Sequence, residues 1–308
     1  MSKETMKAAA FETPGPPEVL RLMTVPAPQA GPGQVRVRVK AAGVQPYDAA
    51  VRGGWQPPGA PKLSPGIPGN EFAGVVDQVG EGVDGFAVGD PVLGFTTLTA
   101  YAEYVVVPDD ALARKPDAVP WEVAGALTSG VQTADIALEN LAVGPGDTLL
   151  VHGAAGSVGT AAVQIARSRG ARVIGTARAE NHDYLRRLGA EPVEYGPGLA
   201  DRVRALAPEG VSAALDGAGG AALEVSLDLV EDRGRILTLV EHAKAEELGI
   251  RVVAGERLST RLAHYADLYA EGEFTFLVRR TYDLADAAQA HKEIETGHGQ
   301  GKIAIIVP

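Results

Sequence analysis

Apolar and basic residues alternate near the start of the chain, in the stretch VRVRVKAAGV from Val35 to Val44. A period of two predicts a β-strand with one face in a core and the other towards solvent. The stretches Phe72–Gly80 and Tyr101–Pro108 predict two further strands. Turns rich in glycine and proline separate these strands. We therefore expect residues 1–119 to form a compact, partly barrel-like β domain.

The pattern changes near Pro120, where apolar residues spaced by three and four predict a helix from Trp121 to Leu141. Strand and helix patterns then alternate. They predict strands at Thr148–His152, Arg172–Thr176 and Pro192–Tyr195, helices at Val158–Arg169 and Asn181–Leu188, and strands in VSAALDGAGG and GRILTLV. Such alternation is typical of a parallel sheet with crossover helices. Residues 120–255 are thus predicted to form a doubly wound α/β domain.

After about Gly255 the pattern of apolar and polar residues changes again, and residues 256–308 form a third segment of the sequence. LAHYADLYAEGEF and LADAAQAHKEIETG are amphipathic and predict helices. The ending GKIAIIVP predicts a closing strand.

Composition narrows the possible functions. The 308 residues carry a net charge of −11, which disfavours binding to nucleic acid or to anionic membranes. The absence of cysteine excludes disulfides, thiolate metal sites and cysteine nucleophiles. No apolar run approaches the roughly 20 residues that cross a bilayer, and the N-terminus lacks the apolar core of a signal peptide. We expect a cytoplasmic protein.

The most specific motif follows the strand that ends at His152 and opens the next helix. Its core is Ala154-x-Gly156-x-x-Gly159, completed by Ala155, Ser157 and Val158. In a dinucleotide fingerprint, the middle glycine lets the backbone approach the pyrophosphate and the last lets helix and strand pack closely. The helix N-terminus then meets the phosphate charge with its N–H groups. The motif therefore predicts dinucleotide binding, although Ala154 replaces the usual first glycine.

The type of dinucleotide is indicated by the end of the second strand of this unit. NAD-binding chains place a carboxylate there for the ribose hydroxyls, whereas this sequence has Gly175-Thr176-Ala177-Arg178. Arg178 suits a 2′-phosphate in charge and geometry, although a solvated surface arginine is the alternative. We expect NADPH as the cofactor.

Several long motifs, in order, resemble the medium-chain dehydrogenase/reductase superfamily, and within it the zinc-independent quinone oxidoreductases that include zeta-crystallin. They are AAGVQPYDAAVRGG, PGNEFAGVVDQVGEGVDGFAVGDPV, YAEYVVVPDD, GALTSGVQTADIAL, GAAGSVG, RLGAEPVEYG and GHGQGKIAII. The resemblance implies a GroES-like catalytic domain formed by residues 1–119 and 256–308, with a Rossmann domain at 120–255 between them. It also implies an active site in the cleft between these domains.

Matching motifs carry further roles as implications of the resemblance. Thr133 matches a threonine near the nicotinamide, and Tyr195 matches a tyrosine that helps bind the 2′-phosphate, with a plain surface tyrosine as its alternative. Gln45 and Asp48 match residues on the substrate side, but Gln45 stands where the family has asparagine. Relatives pair through Rossmann edge strands, so we expect a homodimer in which GRILTLV and IRVVAG supply such strands. The loop between LTLV and Ile250 is shorter than usual.

The segment Gly69-Asn70-Glu71 occupies the place where zinc-containing relatives have Gly-His-Glu, and their other zinc ligand, a cysteine, is replaced by Gln45. Amides are poor zinc ligands compared with thiolate and imidazole, so we predict no metal. We expect Glu71 to be structural, with its charge satisfied by backbone N–H groups or an arginine, because an unpaired buried carboxylate is costly. Asn70 is a candidate wall of the substrate pocket.

Without a metal, acceptors that are already conjugated are favoured over alcohols. We predict hydride transfer from NADPH to a quinone or similar conjugated carbonyl, with Gln45 as the first candidate hydrogen-bond donor to the developing oxyanion. Tyr47 is a second candidate donor or proton source unless it points elsewhere. Trp55 is a stacking wall or a domain anchor. The alternatives are a reductase of enal, enone or enoyl double bonds, and an NADPH-binding protein with little catalysis.

Overall fold

The computed structural model describes residues 4–308. Within this range the chain forms strands and helices whose order changes from mostly β to alternating β and α. The strands are β1 (Thr5–Ala10), β2 (Arg21–Pro26), β3 (Gln34–Val44), β4 (Glu71–Val79), β5 (Pro91–Phe95), β6 (Tyr104–Pro108), β7 (Leu112–Arg114), β8 (Thr148–His152), β9 (Arg172–Ala177), β10 (Glu191–Glu194), β11 (Ala213–Asp216), β12 (Ile236–Thr238), β13 (Arg251–Val252), β14 (Val278–Asp283) and β15 (Lys302–Ile306).

The helices are concentrated in the second half of the chain. They are α1 (Pro46–Arg52), α2 (Trp121–Asn140), α3 (Ser157–Ser168), α4 (His182–Arg187), α5 (Leu199–Leu206), α6 (Ala221–Leu229), α7 (Ala245–Leu248), α8 (Ser259–Ala270) and α9 (Ala287–Glu295). Among residues 4–308, no helix combines the length and the apolar character that crossing a membrane requires.

The described part of the chain divides into two compact units. The first comprises the residues up to Ser129 together with Leu258–Pro308, and the second comprises Gly130–Arg257. The first division falls within α2, whose start coincides with the change of pattern seen in the sequence near Pro120.

The first unit is built on a seven-stranded sheet in the order β14-β15-β3-β4-β5-β7, with β6 paired to β3, and on the β1–β2 hairpin. The long strand β3 is central because β6 and β15 pair with its two halves while β4 pairs along its other edge. Val35, Val37 and Val39 have no exposed surface, as the alternating pattern predicts. The apolar face of β3 therefore forms part of the core of the first unit.

The second unit is a six-stranded parallel sheet in the order β10-β9-β8-β11-β12-β13. Its strands alternate with helices, as predicted for a doubly wound domain. The predicted edge role of GRILTLV is wrong, because β12 lies between β11 and β13 and both of its sides are paired. Only β13 of this predicted pair lies at the edge of the sheet.

Two other predicted boundaries also shift. The strand expected to begin at Tyr101 begins at Tyr104, because the preceding residues form one isolated bridge and loop hydrogen bonds with β1. Tyr195 follows β10 instead of ending it.

Candidate active site

A cluster of five polar side chains lies within the first unit, at the C-terminal end of β3. We call it the amide–lysine cluster, and its members are Gln45, Asn70, Glu71, Ser129 and Lys302. Three of them, Asn70, Glu71 and Lys302, are buried, whereas Gln45 and Ser129 are partly exposed.

Strand register explains why residues so distant in sequence meet here. The antiparallel pairs Val44–Ile303 and Ala42–Phe72 place the starts of β15 and β4 on either side of the end of β3. Lys302 directly precedes Ile303, and Glu71 directly precedes Phe72. The strand pairing therefore brings the two charged residues together.

Glu71 and Lys302 form a buried ion pair. Lys302 Nζ lies 2.6 Å from Glu71 Oε1, and the two side chains are 2% and 0% exposed. Ser129 adds its backbone N–H to Glu71 Oε2 at 2.6 Å and its hydroxyl to Oε1 at 2.9 Å. Gly43 is required beside them, because a Cβ there would overlap the Glu71 carboxylate. The expected backbone partner of Glu71 is present, but the cation is a lysine, not an arginine.

The two amides of the cluster are joined to this ion pair. Lys302 Nζ donates to Gln45 Oε1 at 3.0 Å, and the Ser129 hydroxyl also contacts that oxygen. On its other side Gln45 Nε2 donates to Asn70 Oδ1. The structure thus brings together the two amides that the sequence assigned to the substrate pocket, and it adds a charged group behind them.

Asp48 lies deeper than its predicted place on the substrate side, because its side chain is fully buried. Its carboxylate accepts the backbone N–H groups of Gln45 and Gly69 and the hydroxyl of Tyr101, each at 3.1 Å. Burial raises the pKa of Asp48 to about 7. Asp48 therefore supports the start of α1, and a role in a substrate pocket stays a prediction.

Tyr47 and Trp55 form an aromatic pair in the same unit. Their ring centroids are 5.2 Å apart with an interplanar angle of 83°, the edge-to-face arrangement that aromatic rings prefer. The Tyr47 hydroxyl donates to the carbonyl of Thr97 at 3.1 Å, and Trp55 is 47% exposed. Trp55 offers an apolar face to solvent, while the hydroxyl of Tyr47 already has an acceptor. Their predicted roles as donor and stacking wall stay predictions.

The glycine-rich loop of the second unit joins β8 to α3. Gly153 turns the chain with a φ of +70°, a conformation that favours glycine. A Cβ on Gly159 would come within 2.6 Å of Ala154 Cα, so only glycine permits this close packing. The nearest atom to a Cβ on Gly156 would be the carbonyl oxygen of Gly153, at 3.4 Å, so the backbone is open at the helix N-terminus. This geometry fits a bound pyrophosphate.

Arg178 and Tyr195 follow the neighbouring strands β9 and β10. Arg178 Nε donates to the Tyr195 hydroxyl at 3.1 Å, and Tyr195 is 47% exposed. Glu180 was overlooked in the sequence, and its carboxylate lies 3.6 Å from Arg178 Nη1. The predicted pair is thus assembled at one end of the sheet, with a carboxylate that competes for the arginine. Thr133 is a partly exposed residue of α2, and its predicted place near the nicotinamide stays a prediction.

The amide–lysine cluster does not fit a zinc ion. A divalent cation would need the oxygens of Gln45, Asn70 and Glu71, but the Lys302 ammonium already contacts two of these three side chains. A second cation there would be repelled, and amides are weak zinc ligands. Within residues 4–308, no group of three or more histidine, aspartate or glutamate side chains could hold a metal ion.

Lys302 and Ser129 are the members of the cluster that sequence reasoning missed. Both lie inside motifs that were recognised, GKIAII and GALTSGVQTA. A lysine at the start of an apolar closing strand indicates a buried cation paired with a carboxylate, because lysine is almost never fully buried unless it is paired.

Comparison with known proteins supports this architecture. Residues 31–117 match the alcohol dehydrogenase GroES-like domain, and residues 188–305 match the zinc-binding dehydrogenase family. The quinone oxidoreductase of Pseudomonas aeruginosa is 32% identical over 325 residues, which cover 97% of this chain and 99% of that protein. The pikromycin polyketide synthase component PikAII of Streptomyces venezuelae is 33% identical over 327 residues and 100% of this chain, but the chain spans only 8% of that protein.

Solved structures agree. The quinone oxidoreductase from Coxiella burnetii superposes with a TM-score of 0.87 at 29% identity, covering 99% of this chain and 100% of that one. The GroES-like sheet and the parallel-sheet unit define an oxidoreductase of the medium-chain dehydrogenase/reductase superfamily. Within that superfamily, the chain belongs to the quinone oxidoreductase family. Its cofactor is accordingly a nicotinamide dinucleotide.

Proposed function

We propose that this protein is an NADPH-dependent reductase that transfers hydride to a quinone or a similar conjugated carbonyl without using a metal. The observation that carries the proposal is the amide–lysine cluster, in which a fixed ammonium group lies behind two amides at the position where zinc-containing relatives hold their metal. Such a site supplies hydrogen bonds and positive potential rather than a Lewis acid, which suits an acceptor that is already activated.

The bound nicotinamide supplies the hydride in this scheme. The residues of the chain orient the acceptor and stabilise the negative charge that develops on its oxygen as the hydride arrives. Gln45 is the first candidate donor to that oxygen because its amide is partly exposed and its carbonyl already accepts from Lys302. A proton then completes the hydroquinone. Asn70 and Trp55 are proposed to line the acceptor site, with Tyr47 as a further candidate donor.

A second candidate function is reduction of an enone or enoyl double bond. The similarity to the polyketide synthase PikAII over the whole chain favours it. The electronic requirement is shared, since hydride addition to either acceptor leaves charge on a carbonyl oxygen.

The test is NADPH consumption measured by absorbance with a panel of quinones and a matched panel of enones and enoyl thioesters. Turnover of the quinones at least about tenfold more efficient in kcat/KM supports the first candidate, and the reverse preference supports the second. NADPH binding with turnover on neither panel would instead indicate a binding protein and overturn the proposal.

NADPH is proposed over NADH because Arg178 and Tyr195 meet at the edge where a 2′-phosphate would lie. Arg178→Ala removes a charged donor, and a hydrogen bond between charged groups contributes about 1.5–3 kcal/mol. We expect the KM for NADPH to rise about 10- to 100-fold while the KM for NADH changes less than about twofold. The measurement is steady-state kinetics with both cofactors.

Arg204→Ala is the matched control, because Arg204 is another exposed arginine of the same unit and pairs with Asp228 at 2.7 Å. It should leave both constants unchanged. Equal changes for NADPH and NADH in Arg178→Ala would remove the argument for NADPH.

We also propose a homodimer, in which β13 at the edge of the parallel sheet pairs with a second copy. The support is the position of β13 alone, since β12 is paired on both sides. Light scattering coupled to size-exclusion chromatography tests it, and a monomeric mass at micromolar concentration would contradict it.

A further inference from the structure

Lys302 makes three directed contacts in the interior of the first unit. Its Nζ lies 2.6 Å from Glu71 Oε1, 2.8 Å from Ser129 Oγ and 3.0 Å from Gln45 Oε1. A lysine ammonium has three donors and no acceptor, so each partner must present a lone pair to it. The three contacts therefore fix the direction of hydrogen bonding throughout the amide–lysine cluster.

The direction passes along the two amides. Because the carbonyl of Gln45 accepts from Lys302, the Gln45 NH₂ group faces the other way and donates to Asn70 Oδ1. The amide of Asn70 is then oriented with its oxygen towards Gln45 and its NH₂ group away from it. A Gln45 NH₂ group carries two N–H donors, and the contact with Asn70 uses one. The contacts thus orient Gln45 with its second N–H, not its carbonyl oxygen, directed away from Lys302.

Ser129 alone would not hold this direction. Its hydroxyl is within hydrogen-bonding distance of both Gln45 Oε1 and Glu71 Oε1, but it has a single hydrogen to give. Without the ammonium group, that hydrogen can go to the oxygen of residue 71 instead of Gln45, whether residue 71 carries a carboxylate or the amide of Glu71→Gln. The Gln45 carbonyl would then be free to rotate outwards, where it would repel a developing oxyanion.

We propose that Lys302 is a positioning residue that acts through Gln45, holding and polarising its amide so that the second N–H of Gln45 faces the carbonyl oxygen of the acceptor. This rests on the proposed function, since the acceptor is the quinone or conjugated carbonyl named there. The charge of Lys302 strengthens the donors because hydrogen bonds in series polarise one another in a low-dielectric site. The group is preorganised, so no reorientation accompanies the reaction.

The experiment compares Glu71→Gln with the double variant Glu71→Gln/Lys302→Met, each with and without Gln45→Ala. Using Glu71→Gln as the reference avoids a buried carboxylate without a cation, which could prevent folding. With Gln45 present, adding Lys302→Met is expected to lower kcat about 10- to 100-fold with little change in KM, on the scale of one lost oxyanion donor. In the Gln45→Ala background the same step is expected to change kcat less than about threefold.

Equal losses in both backgrounds would show that Lys302 does not act through Gln45 and would overturn the proposal. Lys292→Met is the matched control, because Lys292 is an exposed lysine of the same unit paired with Glu18 at 2.7 Å, and it should leave kcat unchanged. In the Glu71→Gln background, Lys302→Arg keeps the charge and is expected to retain part of the kcat that Lys302→Met loses.

A second measurement does not depend on turnover. In protein labelled with ¹⁵N at glutamine, the side-chain NH₂ signals of Gln45 are assigned by their loss in Gln45→Ala. We expect Glu71→Gln/Lys302→Met to shift these signals and to speed their exchange with solvent at least about tenfold relative to Glu71→Gln. Unchanged signals would overturn the positioning role even if the enzyme reduces quinones. Changed signals in a protein that reduces neither panel would uphold it while the proposed substrate fails.

Discussion

The first unit buries two carboxylates, Glu71 and Asp48, which have different hydrogen-bonding partners. Glu71 has an ammonium group at 2.6 Å and a backbone N–H at 2.6 Å. Asp48 has only uncharged donors, two backbone N–H groups and the Tyr101 hydroxyl, each at 3.1 Å. Both side chains are fully buried. The difference is therefore the presence of a directly paired cation, not the depth of burial.

The consequence for Asp48 is a carboxyl group that titrates near neutral pH. The pKa of Asp48 is raised to about 7, chiefly by burial and further by the neighbouring Glu71, against the lowering effects of Lys302 and the hydrogen bonds from Tyr101 and Gln45. A buried charge without a direct counter-ion costs more than its neutral form, so the proton is retained to higher pH. Glu71, by contrast, is part of a salt bridge whose integrity depends on both partners.

The largest expected effect comes from breaking the ion pair. Lys302→Met removes the cation and leaves the Glu71 carboxylate buried, which costs about 3–5 kcal/mol of stability. Glu71→Gln/Lys302→Met removes both charges and should recover most of that loss. The free energy of unfolding from denaturant titration measures both. A single variant as stable as the double variant would show that Glu71 does not depend on Lys302.

Sequence patterns predicted the sheet that carries these groups better than the groups themselves. The alternation at Val35–Val39 and the strand Thr148–His152 follow from local periodicity, which a single sequence displays. The glycine loop is likewise local, since its turn, its close packing and its helix start lie within one short segment.

The partners of the buried cation could not be found in this way. Lys302 and Gln45 are 257 residues apart in sequence, and only the pairing of β15 with β3 brings them together. The fate of Asp48 depends in the same way on Tyr101, which lies 53 residues further along the chain. Local patterns predict elements, whereas the partners of a buried charge depend on the register between distant strands.

The titratable carboxylate is tested by Asp48→Asn. The folded chain keeps the proton on Asp48 up to about pH 7, whereas the unfolded chain releases it near the ordinary aspartate pKa of 3.8. The contribution of Asp48 to stability therefore falls as the pH rises between these values. Relative to the wild type, Asp48→Asn should gain roughly 3 kcal/mol between about pH 4.5 and pH 7. Denaturant titrations at several pH values measure this difference.

The test depends on the difference in stability between the wild type and Asp48→Asn, because two histidines make the stability of both proteins rise with pH. Burial lowers the pKa of His152 to about 4 and that of His291 to about 3, with Arg52 adding to the shift of His291. Their contribution to stability rises with pH, since the unfolded chain takes up protons that the folded chain does not. A difference between wild type and Asp48→Asn that is constant with pH would show that Asp48 does not titrate in this range.

The smallest expected effect comes from removing an uncharged hydrogen-bond donor to Asp48. Tyr101→Phe removes the hydroxyl that Asp48 accepts at 3.1 Å and keeps the ring, whose centroid lies 5.7 Å from that of His291. A hydrogen bond to a charged group is worth about 1.5–3 kcal/mol and one between neutral groups about 0.5–1.5 kcal/mol. The loss of stability should therefore be about 1 kcal/mol greater at pH 8, where Asp48 is ionised, than at pH 5.

Tyr282→Phe is the control for this last comparison. The Tyr282 hydroxyl donates to Glu293 at 2.6 Å, and its neighbours Arg279 and Arg280 help to lower the pKa of that carboxyl, so it is ionised at both pH values. The cost of this substitution should not change between pH 5 and pH 8. If Tyr101→Phe behaves in the same way, the charge of Asp48 is constant, and the contrast with Glu71 lies in geometry alone.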